Sequence, residues 1–231
     1  ARGALRAGLG LLTVHVPQCG YPIIQAAVPE AMAEVDKDAN VFSGHADLTR
    51  YTTVGIGPGL GQDERTVSAL GKVLEAFGKP MVLDADALNI LGANRHLQGL
   101  VPPGSILTPH PKEFERISQP WASDFERLEI QKQLAVSLKS VVVLKGAHTS
   151  IASEKGDIYF NSTGNPGMAT GGTGDVLTGM ITGLLAQNYS PIKAAIAGVF
   201  LHGLAGDLAA DECGMESLTA SDLIDHLPGA F

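Results

Sequence analysis

Residues 161–175 read Asn-Ser-Thr-Gly-Asn-Pro-Gly-Met-Ala-Thr-Gly-Gly-Thr-Gly-Asp and run straight into the apolar stretch Val176-Leu177-Thr178-Gly179-Met180-Ile181. Glycines let successive backbone N–H groups turn toward one point and let a ligand approach the chain closely. A helix beginning there adds unpaired first-turn amides and the positive end of its dipole, and together these make a hole for an anion such as phosphate. Asp175 stands at the helix start. It is either a plain cap or first-turn acid, or a base beside the anion hole that deprotonates a hydroxyl as charge builds on a transferring phosphoryl group. The long Gly/Thr/Asn run in front of it favours the second. GxxxxGK[ST] and a GxGxxG following a strand are both absent, so this is neither a Walker loop nor a dinucleotide fingerprint.

Four more constellations follow short apolar runs. Lys145-Gly146-Ala147-His148-Thr149 comes after Val141–Leu144. Ligands of open α/β sheets bind beyond the carboxyl ends of strands, which places Lys145 to meet a phosphate and Thr149 a ribose or phosphate; a plain turn is the alternative. Leu83-Asp84-Ala85-Asp86 sets two acids just past a strand end, where they could line a ligand site or take up Mg²⁺, or where Asp86 could simply cap a helix. Thr108-Pro109-His110-Pro111 holds a histidine between two prolines at another strand end, with Pro111 suited to a first helical position; a substrate contact by His110 is expected. Val54-Gly55-Ile56-Gly57-Pro58-Gly59 is a further turn after a strand, where Gly57 or Gly59 would leave room for substrate or merely make the turn. His202, in an apolar helix of small residues, reads as a packed core histidine. His15, His45, His96 and His226 show no partner pattern, and Trp121 in a polar stretch has no evident role.

These residues need a scaffold of buried strands and covering helices. Strands are predicted at 11–16, 52–56, 80–83, 105–107 and 141–144, each short and apolar on both faces, as parallel strands are. Helices are predicted at 64–77, 124–138, 175–187 and 191–210, with a hairpin from 151–152 to 157–160. Alternating strands and helices imply βαβ units in a three-layer α/β/α sandwich with a mostly parallel sheet. No repeat or linker interrupts the 231 residues, which read as one domain, 1–231. A hydrophobic share of 45% with 17% charged residues excludes a disordered chain, and the net charge of -8 disfavours a nucleic-acid or anionic-membrane binder. Two cysteines far apart, Cys19 and Cys213, point to a reducing compartment. No apolar run reaches the ~20 residues of a membrane span and no signal peptide is evident, so a cytoplasmic location is expected.

The blocks VGIGPGLG, VLDADALN, LTPHPKEFERI, VVLKGAHT and NSTGNPGMATGGTGDVLTGMITGLLAQ, in that order, closely resemble the NAD(P)H-hydrate dehydratase family over nearly the whole chain. The resemblance implies a ribokinase-like fold and a metabolite-repair lyase. Its substrates would be the S epimer of hydrated NADH or NADPH and ADP (or ATP), with Mg²⁺; its products, the restored cofactor, AMP and phosphate. Asp175 would be the catalytic base, and substrate contacts would fall on Gly57, Gly59, His110 and Asp175. Nucleotide contacts would fall on Lys145, Gly146, Ala147, His148, Thr149, Asn165, Gly172, Thr173 and Gly174. The resemblance also implies a homotetramer, a fused or separate epimerase, and a further segment ahead of Ala1. A vitamin-precursor or sugar kinase of the same fold is the alternative enzyme, and a nucleotide-binding protein without turnover the alternative class.

Overall fold

The computed structural model describes residues 1–44 and 47–231, so His45 lies outside the described residues. In chain order the elements are α1 (Arg2–Arg6), β1 (Thr13–Val16), α2 (Tyr21–Ala27), β2 (Met32–Val35), β3 (Gly55–Ile56), α3 (Glu64–Phe77), β4 (Val82–Leu83), α4 (Ala85–Ala93), β5 (Ile106–Leu107), α5 (Pro111–Ile117), α6 (Asp124–Ser137), β6 (Val141–Leu144), β7 (Ser150–Ala152), β8 (Ile158–Phe160), α7 (Thr173–Ala186), α8 (Pro191–Cys213) and α9 (Ala220–Ala230).

Strands β3 to β8 form one six-stranded sheet in sequence order. It is parallel from β3 to β6, then antiparallel across β6–β7 and β7–β8. Alternation across the strands builds two cores, because successive side chains leave a strand on opposite faces. Leu83, Leu107, Val142 and Leu144 face α3 to α6 and pack with Leu70, Leu74, Leu88 and Phe114. Val82, Ile106, Val141 and Val143 face the other way, onto Met180, Ile181, Ala195 and Leu223 of α7 to α9. The sheet between two helical layers is the α/β/α sandwich expected from the sequence. Since β3 to β6 run parallel, their carboxyl ends share one edge, and the chemistry-bearing turns follow those ends.

Local chemistry fixes several boundaries. Asp63 accepts from the Arg65 amide at 2.9 Å to open α3, and Gly78 closes it in the left-handed conformation. The predicted helix over 64–77 therefore has the observed ends. Elsewhere the structure differs from the sequence expectation. The strands expected at 52–56, 80–83 and 105–107 pair over only two residues each. The strand at 13–16 lies outside the main sheet, pairing in parallel with β2, which went unpredicted. Helix α7 begins at Thr173 rather than Asp175, and α8 continues to Cys213. At 23 residues, α8 is long and apolar enough to cross a membrane by length and composition, which was not expected, although half of its most apolar window is buried in the structure. Trp121 packs on Phe114, with ring centroids 5.5 Å apart, and so lids the first core. His15 and His226 also have partners that the sequence did not suggest: Asp36 at 2.9 Å and Glu212 at 2.8 Å.

Candidate active site

The Gly-rich loop is fixed to α8 before it reaches α7. Gly164 N–H donates to Asp207 Oδ2 at 2.9 Å, and Asn165 Nδ2 donates to Gly206 O and Asp207 Oδ1 at 2.9 and 3.0 Å. Asn165 Oδ1 accepts from Gly167 N–H at 3.0 Å. The Asn165 side chain thus ties the loop to α8, a role the sequence did not suggest beside the expected nucleotide contact. Thr173 Oγ1 bonds the carbonyls of Met168 and Thr170 at 2.8 and 3.0 Å, closing the turn. His202 Nε2 lies 2.8 Å from the Thr173 carbonyl, and burial lowers its pKa to about 4. It is a neutral imidazole donating to the first turn of α7, the packed histidine that the sequence suggested.

Gly172, with φ of 90°, is the N-cap of α7, and no side chain caps this helix. The first amide to enter its ladder is that of Val176, which donates to Gly172 O at 3.1 Å. The amides of Thr173, Gly174 and Asp175 therefore stay available to an anion. Asp175 occupies the third helical position and makes no hydrogen bond among the described residues, so it is a first-turn acid rather than a cap. Its side chain opens to solvent, yet desolvation raises its pKa, with the Asp84 charge adding to the rise and Lys145 opposing it.

Behind this helix start lies a buried bridge between three elements. Asp84, at the end of β4, accepts from Lys145 Nζ at 2.7 Å and from Thr178 Oγ1 at 2.5 Å. Its side chain is 2% exposed and that of Lys145 21%. A Cβ added to Gly174 would stand 3.5 Å from Lys145 Nζ, so the ammonium sits against the anion hole. Thr178, one turn into α7, also donates to Gly174 O at 3.1 Å. Sequence reasoning missed Thr178; its only local sign is the four-residue spacing from Gly174 on one helix face.

The remaining residues line the same edge. Gly146, Ala147 and His148 are exposed, and Thr149 folds its hydroxyl back onto Gly146. Lys145, Gly146, Ala147 and His148 border a cavity of about 260 Å³ shared with Pro111, Leu144 and Arg127. The Arg127 Nε is buried without a hydrogen-bond partner among the described residues. His110 is the N-cap of α5: Nδ1 accepts from the Lys112 and Glu113 amides at 3.1 and 3.4 Å, which puts the ring proton on Nε2. Nε2 is 3.3 Å from Glu113 Oε1, and with the side chain 45% exposed that N–H can also reach a ligand.

Gly57 and Gly59 part company. Gly57 has φ of 137°, and a Cβ there would overlap the Asp84 carbonyl; Gly59 has φ of 65° with open space around it. Gly57 is therefore required by backbone packing, while Gly59 leaves room at the mouth. Ala85, with φ of 46°, holds strain on the other side of that contact. Gly57→Ala is expected to cost about 3 kcal/mol from overpacking and strain, and Gly59→Ala about 1 kcal/mol from the left-handed backbone alone. Thermal melts of the two variants check the order.

Neither acid near β4 is free for a metal. Asp84 is held as above, and Asp86 accepts from Gly61 N–H at 2.9 Å and from Gln62 and Asn89 at 3.3 Å. Among the described residues no group of three or more His, Cys, Asp or Glu is placed to hold a metal ion.

A mostly parallel sheet between helical layers, with a loop-cradled helix start at its carboxyl edge, defines a ribokinase-like fold, and a solved ribokinase-like superfamily protein from Enterococcus faecalis superimposes on it with a TM-score of 0.81. The sequence profile of the NAD(P)H-hydrate dehydratase family matches residues 1–229, and the chain belongs to that family. It is 42% identical over 239 residues to a bifunctional NAD(P)H-hydrate repair enzyme of Moorella thermoacetica, covering 99% of this chain and 45% of that protein. It is 40% identical over 228 residues to the ADP-dependent (S)-NAD(P)H-hydrate dehydratase of Bacillus subtilis, covering 98% and 80%. The crystal structure of the ADP/ATP-dependent NAD(P)H-hydrate dehydratase from Bacillus subtilis, co-crystallised with ATP and Mg²⁺, superimposes with a TM-score of 0.83 at 38% identity, covering 99% of this chain and 81% of that one. The chain thus spans less than half the length of the bifunctional relative.

Proposed function

We propose that this chain acts as one dehydratase domain that uses ADP to restore NADH or NADPH from its hydrated S epimer, releasing AMP and phosphate. The observation that carries this reading is Asp175: an unengaged carboxylate, raised in pKa, beside three unpaired amides. Asp175 accepts the proton of the hydrate's hydroxyl, and that oxygen attacks the terminal phosphorus of ADP. The bond to the bridging oxygen breaks and AMP leaves. Charge on the transferring group falls on the amides of Thr173, Gly174 and Asp175 and on the Lys145 ammonium. The phosphorylated hydrate then expels phosphate, and loss of the adjacent ring proton restores the dihydropyridine. Gly59 and the His110 Nε2–H face the substrate, and the Lys145–Thr149 turn faces the nucleotide.

Mg²⁺ fits this site as an ion carried by the nucleotide phosphates, because Asp84 and Asp86 are engaged in hydrogen bonds and the described residues build no protein cage. When bound it would neutralise phosphate charge. A homotetramer and a cytoplasmic setting complete the reading, as does a partner epimerase activity, which the bifunctional repair enzymes among the relatives support.

The test is to mix the protein with hydrated NADH, Mg²⁺ and ADP or ATP, and to follow the return of reduced-nicotinamide absorbance. Nucleotide-dependent recovery supports the reading and ranks the donors. A stable phosphorylated product from a vitamin or sugar screen, without such recovery, assigns the kinase alternative. His110→Ala is expected to raise KM for the hydrate more than KM for ADP. Loss of its cap should also cost about 1 kcal/mol. Equal shifts in both constants would remove His110 from the substrate side.

A further inference from the structure

A second cavity, about 390 Å³, opens between α4 and α5 and is lined by Gln62, Asn89, Gly92, Ala93 and Arg116. Gln62, Asn89 and Arg116 bring polar groups to a lining that also includes Gly92 and Ala93, and its walls are held in place. Asp86 fastens Gln62 and Asn89, and Asn89 Oδ1 accepts from Arg116 Nη1 at 2.6 Å. Gly92 is its floor: a Cβ there would crowd the Arg116 Cβ at 2.9 Å, so α4 and α5 meet closely while the space above stays open. The two helices that flank it, α4 and α5, start at the active site. Asp84 and His110, the N-caps of α4 and α5, belong to that site. Arg116 stands six residues along α5 from His110, roughly 9 Å at the helical rise.

Two cations stand on this side of α5. Lys112 and Arg116 are exposed and spaced four apart on α5, which puts two cations on one face, an arrangement that weakens a helix. Neither has a carboxylate partner among the described residues, in a protein of net charge -8. Asp86 is satisfied by its own hydrogen bonds, and Glu113 is turned onto His110. Arg95 offers a contrast: it is spent on the carbonyls of Ile117 and Ser118 at 3.0 and 2.7 Å. Arg116 reaches only a neutral amide oxygen, leaving the rest of its guanidinium fork for an anion.

We propose that this cleft is the subsite for the distal, phosphate-bearing half of the dinucleotide substrate, with Arg116 meeting its phosphates and Lys112, four residues away on the same face of α5, adding positive charge beside it. The inference rests on the function proposed above, since it needs a substrate that reaches well beyond the nicotinamide ring. A diphosphate and a ribose 2′-phosphate present the same chemistry to Arg116.

The experiment compares the unaltered protein, Arg116→Ala and Arg116→Lys with hydrated NADPH, hydrated NADH and hydrated reduced nicotinamide mononucleotide, which lacks the distal half. Arg116→Ala is expected to raise KM for the dinucleotides roughly tenfold, the loss of a charge-assisted hydrogen bond. KM for the mononucleotide and for ADP should move far less, and Arg116→Lys should recover part of the loss. A larger effect on hydrated NADPH than on hydrated NADH assigns the 2′-phosphate, and equal effects assign the diphosphate. Equal effects on dinucleotides and mononucleotide, or none, overturn the subsite. Binding of intact NADPH, followed by its fluorescence, is a readout free of turnover. Weaker NADPH binding by Arg116→Ala supports the subsite even if no hydrate is converted, and in that case only the proposed reaction fails.

Discussion

Asp175→Asn is expected to lower turnover by at least ~10²-fold, the usual worth of a positioned base, while ADP affinity stays within several-fold. The two effects separate because the nucleotide phosphates meet amides and Lys145, which the substitution leaves in place. Asparagine is close in size and keeps the first turn of α7 intact, so the loss is chemical rather than structural. The same residue sets the pH profile. Desolvation first, then the Asp84 charge, raise the pKa of the Asp175 carboxyl. A base must be ionised to work, so kcat/KM should fall as pH drops through that raised pKa, earlier on acidification than for an ordinary carboxylate. Steady-state rates across pH, with ADP binding measured by calorimetry, check both parts. Full turnover in the asparagine variant would remove Asp175 from the chemistry.

Lys145→Met should be the most destabilising substitution at this site. It strips the cation from a carboxylate that is 2% exposed, and breaking such a buried pair costs about 3–5 kcal/mol. Thr178 alone cannot replace an ammonium. Adding Asp84→Asn to Lys145→Met removes the stranded charge and should return much of the lost stability, while activity stays low without the cation at the anion hole. Urea denaturation of the single and double variants gives the coupling directly. Independent, additive losses would show that the bridge does not act as a unit.

The loop was legible in the sequence because its signals are local. Residues 161–175 announce an anion hole by glycine content and by the apolar helix that follows, and the structure places unpaired amides there. The strand over Val141–Leu144 and the helix over Glu64–Phe77 were equally plain; the first is four apolar residues in a row, and the structure shows the second closed by Asp63 and Gly78. The bridge beneath the loop was not legible. Asp84 meets Lys145 across 61 positions and Thr178 across 94, and no spacing rule spans such distances. Helix α9 was missed because it carries Pro228 inside it, near its end, where few later amides depend on the ladder. Helix α5 was missed for its length of seven residues, although its Pro111 start was recognised. The resemblance put Asn165 among the nucleotide contacts; its hydrogen bonds to Gly206 and Asp207, more than 40 positions away, could not be read from the sequence.

The stitching of that loop to α8 has a thermodynamic corollary. A free segment with so many glycines would lose more backbone freedom on ordering than any other stretch of this chain. Here Asp207, Asn165 and Thr173 arrest it when the protein folds, and α8 meets it with bare backbone, since a Cβ at Gly203 would overlap Thr163 and one at Gly206 would overlap Met168. The arriving phosphate meets a receptor already frozen in shape. Its binding free energy is not drained by ordering the loop, and more of it remains for the moment when charge develops on the transferring group.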